Sequence, residues 1–106
     1  MLVVTSPDIP GKKIVKTLGI VKGNTIRARH IGKDILAAFK NIVGGEIQEY
    51  TKLMAESREQ AIDRMIESAE QMGANAIIST NTTTSVISQG AAELLVLGTA
   101  VVIEDE

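Results

Sequence analysis

The chain has 106 residues, with 13 acidic and 11 basic side chains, no cysteine, and Phe39 and Tyr50 as its only aromatics. That composition excludes disulfides, thiol catalysis and thiolate metal sites, and it lacks the stacking aromatics of a nucleic-acid-binding surface. No stretch approaches the ~18 apolar residues of a membrane span, and "MLVVTSPDIPGKK" carries no signal-peptide pattern, so a cytoplasmic protein without a membrane partner is expected.

The first expected element is a short apolar strand over 2–5, stopped by Ser6-Pro7 and the Pro10-Gly11 turn. A second strand is expected over 13–22, with Gly23-Asn24 marking its end. "GKDILAAFKNIV" then places Ile31, Ile35, Ala38, Phe39 and Ile42 at helical spacing, which predicts a short amphipathic helix closed by Gly44-Gly45. A long helix follows from about Glu46 to Met72, roughly 40 Å at 1.5 Å per residue. At 100° per residue, Ile47, Tyr50, Met54, Ala61, Ile62, Met65, Ala69 and Met72 share one face. Glu49, Glu56, Glu59, Asp63, Glu67 and Glu70 share the opposite one, the division of a surface helix packed on a sheet. Gly73 ends it.

A third strand is expected over 75–88. Its "ISTNTTTSVIS" places hydroxyls on both faces and suits either a polar pocket or a half-exposed surface. After Gln89-Gly90, "ELLVLGTAVVI" reads as a fourth strand buried on both sides. The expected fold is therefore α+β: one domain over 1–106, a two-layer sandwich in the order ββααββ, its crossover right-handed if strands two and three are parallel neighbours.

Residues 1–40 hold eight of the eleven basic side chains, whereas residues 41–106 hold eleven of the thirteen acids. Such a dipolar subunit docks readily on a copy of itself, and an aliphatic core without large aromatics gains burial from subunit contacts. A homo-oligomer is expected.

Candidate sites are few. "GGE" places Gly44, Gly45 and Glu46 at a helix start, where free N–H groups can hold an anion, but the glutamate already occupies the positive end. Arg58 falls among Met54, Ala61, Ile62 and Met65 on the expected apolar face, so it should either snorkel out along its stem or meet a carboxylate, within or between subunits, or a ligand anion. Tyr50 and Thr51 lie on the same helix and complete the candidate ligand-binding set. His30 is the sole histidine, so one chain supplies neither a histidine triad nor a His-pair metal site. The Glu104-Asp105-Glu106 tail is expected to be solvated. No nucleophile–base pair is visible, so no catalytic residue is assigned.

The segments "RHIGKDI", "NIVGGEIQEYT", "ESREQAIDRM", "GANAII" and "AAELLVLGTAVV", in this order and spacing, resemble the YbjQ-like family of uncharacterised proteins across nearly the whole chain. The resemblance implies a dodecin-like subunit assembled into a ring, usually a pentamer, and it brings a heavy-metal-binding label without an established activity. Leu97 stands where members often carry tyrosine, and "STNTTTS" where many read something like "VRFDTS". The expected function is a non-enzymatic oligomeric ring that binds a small anionic or polar ligand between subunits. A metal-binding ring with converged ligands is the alternative, and an enzyme of unknown reaction the third reading. The sequence names no cofactor.

Overall fold

A computed structural model describes residues 1–27, 46–88 and 91–106, with side chains described except at 27, 46–51, 53, 86–88 and 91. Along the chain come β1 (Leu2–Val3), β2 (Lys12–Arg27), α1 (Glu46–Gln71), β3 (Ala76–Ser88) and β4 (Ala91–Asp105). The class is α+β. Among the described residues there is one helix, not the two of the expected ββααββ order, and the expected short helix over 32–43 lies outside them.

The four strands form one sheet in the order β1-β3-β4-β2. β4 pairs antiparallel with both β2 and β3, while β1 adds in parallel to β3. β2 and β3 therefore run parallel, but β4 lies between them, so they are not the adjacent pair assumed for the expected crossover. The β3–β4 reversal is the cause: β4 folds back beside β3 and reaches β2 first.

β2 does not stop at Gly23-Asn24 but continues in register with β4 to Arg27, opposite Ala92. Gly23 marks a close approach instead of a turn. A Cβ there would lie 2.0 Å from the Ala61 carbonyl oxygen and 2.5 Å from the Met65 nitrogen, so the bare glycine lets the α1 backbone settle onto the strand.

α1 crosses β2 and β4 on one face of the sheet. Val21, Ala61, Met65, Ala69, Ile77, Val96 and Ala100 form the buried core, with Val3, Leu18, Ile62, Ile66 and Ala74 packed around it. Three alanines and a glycine keep the two layers close. Towards the start of the helix the core turns polar: Ser57 and Thr25 are buried, and the Thr25 hydroxyl donates to the Ser57 carbonyl at 3.3 Å.

The helix ends in a tight hydrogen-bonded turn. Gly73 adopts φ +87°; its N–H donates to the Glu70 carbonyl at 3.0 Å and that of Ala74 to Ala69 at 3.0 Å, the paired bonds of a glycine-closed helix end. Asn75 then extends the sheet with its side chain. Its Nδ2 donates to the Ile103 carbonyl at 2.9 Å, and its Oδ1 accepts from the Ile103 N–H at 2.7 Å.

β3 carries a bulge where Ser79 and Thr80 sit opposite Gly98. Ser79 takes φ +53°, and the two N–H groups released from the ladder donate to the Ser6 and Val4 carbonyls at 2.9 and 3.1 Å. The bulge thus joins the N-terminal segment to the edge of β3. Gly98 accommodates it, since a Cβ there would meet Ile77 Cγ2 at 2.6 Å.

Candidate functional site

Burial on α1 follows Ser57, Ala61, Met65 and Ala69, one residue every four. Because four residues turn a helix by about 400°, this row climbs round the cylinder by about 40° per step. A straight stripe at 100° per residue puts Arg58 at its centre, but the climbing contact line passes through Ser57 at that level. Arg58 is accordingly exposed and makes no ion pair among the described residues. Within the single chain, then, no described carboxylate meets this guanidinium, which lies at the exposed flank of the helix.

The other members of the candidate set divide. Glu46 opens α1, and Tyr50 and Thr51 follow on its first turns. Gly44, Gly45 and His30 lie outside the described residues. The acidic face of the helix is as expected, with Glu56, Glu59, Asp63, Glu67 and Glu70 all exposed.

Arg64, not Arg58, joins the helix to the sheet. Its Nη1 donates to the Asn24 carbonyl at 2.6 Å, and Asn24 Nδ2 in turn donates to Glu93 Oε2 at 3.2 Å. At the other end of the sheet Lys12 pairs with Asp105; Glu104, Asp105 and Glu106 are all exposed, as expected of this tail, although β4 continues to Asp105. The hydrogen bond from Lys12, and then its charge, hold the Asp105 carboxyl below its ordinary range.

The feature that sequence reasoning missed is the second face of the sheet. On β2, Val21, Gly23 and Thr25 point at the helix, so Ile20, Lys22, Asn24 and Ile26 point away from it. Register places Lys22 opposite Leu97, Asn24 opposite Leu95 and Ile26 opposite Glu93. β4 is therefore buried on one face in this region and open on the other. Ile20 is 77% exposed, Ile26 57% and Leu97 37%. Strict alternation about Val21 and Thr25 was the available signal. On the β3 side the same face carries Asn81, Thr83 and Ser85, paired with Leu97, Leu95 and Glu93. The Thr80 hydroxyl, at the bulge, is buried without a partner among the described residues.

Among the described residues no group of three or more His, Cys, Asp or Glu side chains could hold a metal ion. With no cysteine and one histidine in the whole chain, the donors do not fit a soft heavy-metal site, which favours thiolate and imidazole. No described helix is long and apolar enough to cross a membrane.

A family model, YbjQ, described as "Putative heavy-metal-binding", matches residues 1–104. The chain is 55% identical over 106 residues to a UPF0145 protein of Clostridioides difficile, covering all of this chain and 95% of that one. It is 54% identical over 104 residues to a UPF0145 protein of Dehalococcoides mccartyi, covering 98% and 100%, and 51% identical over 106 residues to one of Pyrococcus furiosus, covering 100% and 93%. Among solved structures, a DUF74-family protein of unknown function from Pediococcus pentosaceus superposes with a TM-score of 0.66. It is 15% identical and 98% of each chain is covered, a likeness of fold alone.

Proposed function

Since the chain belongs to the YbjQ family, we propose that it is the subunit of a homo-oligomeric ring, a pentamer of dodecin-like subunits. In this reading the cytoplasmic assembly binds a small anionic or polar ligand where subunits meet and catalyses no reaction. The bare sheet face carries the reading. Ile20, Ile26 and Leu97 form an apolar surface that no described element of the same chain covers, and contiguous exposed apolar surface marks an interaction site. The overall dimensions, 54 × 24 × 16 Å, are those of a thin slab, and the helix among the described residues packs on one side of the sheet.

The ligand-binding part of the proposal rests on Arg58, an exposed cation without an ion-pair partner among the described residues. Thr51 and Tyr50 stand about two turns before it on the helix and Glu46 a little over three, and Gly44 and Gly45 precede them in the chain. The heavy-metal reading has the family description behind it and the donor chemistry against it.

Native mass spectrometry of untreated protein tests the proposal: five copies with a retained small-molecule mass are expected, and a stable monomer at micromolar concentration overturns it. Calorimetry of tag-free protein with zinc or copper is expected to show no sub-micromolar stoichiometric binding. A tight isotherm lost in His30→Ala would restore the metal reading.

A further inference from the structure

We infer that the ring contact is heterologous: the outer sheet face of one subunit seats the Ile62 and Ile66 flank of the next subunit's helix, and Lys22 meets the carboxylates beside that flank. This rests on the ring reading above. An odd-membered ring cannot close through self-complementary contacts, because each subunit must offer one surface to the left and a different one to the right. The slab has two such surfaces, one on each side, and they lie back to back, so neither can cover the other within one chain.

Their chemistry is complementary. On the sheet, Lys22 stands between the exposed Ile20 and the next outward positions, Asn24 and Ile26, and directly opposite Leu97. It is a single cation set in an apolar strip. The charged group nearest it on that face, Glu93, already accepts from Asn24, and Lys12 and Asp105, at the far end of the same face, pair with each other. On the helix, Ile62 and Ile66 are half-buried at the margin of the core, and Glu59, Asp63 and Glu70 are exposed. At 100° per residue these three acids fall within about 60° of Ile66 on the side away from the core. An apolar row with acids beside it fits an apolar strip with a lysine in it, and no other described surface pairs the two features with the opposite sign. Charges in such a position select the partner surface and penalise wrong pairings more than they raise affinity.

The experiment is sedimentation equilibrium of the full chain at fixed subunit concentration. Lys22→Glu and Asp63→Lys change exposed side chains, so each variant is expected to fold, with unchanged far-ultraviolet circular dichroism. Each is expected to weaken assembly at least tenfold, and the combined variant to recover most of that loss. A monomeric wild type overturns the ring reading, and this inference with it. An assembled wild type whose single variants assemble equally well, or whose combined variant recovers nothing, overturns the pairing and leaves the ring standing. Recovery of Lys22→Glu by Glu93→Lys, in place of Asp63→Lys, also overturns it, in favour of two sheet faces stacked on each other.

Discussion

Replacing Gly23 by alanine tests how closely the two layers fit. The new Cβ would lie 2.0 Å from the Ala61 carbonyl oxygen and 2.5 Å from the Met65 nitrogen, both backbone atoms that no side-chain rotation can move. To reach an ordinary contact of 3.4 Å, the helix must retreat by about 1.4 Å, and a gap of even 0.5–1 Å forfeits roughly a quarter to a half of the dispersion energy. Ala61 and Met65, both fully buried, would be drawn together out of the core they share with Val21 and Val96. Overpacked cores cost about 1–3 kcal/mol, and an obstacle made of rigid helix backbone places this variant at or above the upper figure. About 3 kcal/mol corresponds to a fall in Tm of at least ~10 °C for a domain of this size. Gly11→Ala is the control. Gly11 has φ +83° and open space around it, so only the left-handed backbone is penalised, by about 1–2 kcal/mol. Urea unfolding followed by circular dichroism, at one fixed subunit concentration, compares the two. If Gly23→Ala proves no more costly than Gly11→Ala, the close approach of strand and helix is wrong.

Asn75→Ala removes both hydrogen bonds to Ile103 and should lower stability by about 1–3 kcal/mol, with Asn75→Asp recovering part of it because one oxygen can still accept from the Ile103 N–H; thermal melts of the pair check this. Arg58→Ala and Arg58→Met should each melt within about 0.5 kcal/mol of wild type, as expected for an exposed side chain, while losing stabilisation by small anions; a large loss without ligand would return Arg58 to a buried pair. Asp105 should titrate below the ordinary carboxylate range, and Lys12→Ala should raise its midpoint in an NMR titration. Because its folded pKa is the lowered one, the pair's contribution is present above the unfolded value of about 3.9 and disappears as pH falls through the lowered value. An unshifted Asp105 midpoint in Lys12→Ala would mean that the pair does not form in solution.

By itself, the sequence determined the features that depend on neighbouring residues. Gly73 closes the long helix because a left-handed position follows the last turn, whatever the sheet does. Alternation and apolar runs located β3 and β4 to within a residue or two, and the acids from Glu56 to Glu70 marked the solvent side of α1. Tertiary structure alone decided which glycine is a turn and which a contact: Gly23 looks like a strand end until the Ala61 and Met65 backbone lies against it. It also decided the fate of Arg58. A helical wheel assumes a straight line of contact, whereas the real line climbs along Ser57, Ala61, Met65 and Ala69 and leaves Arg58 outside. The same holds for β4, whose "ELLVLGTAVVI" is apolar throughout. Around Leu97 the long helix covers one face and leaves the other exposed, whereas further along Ala100 and Val101, on opposite faces, are both buried. Local rules describe what a residue can do with its chain neighbours; which surface is left bare is settled only when distant elements meet.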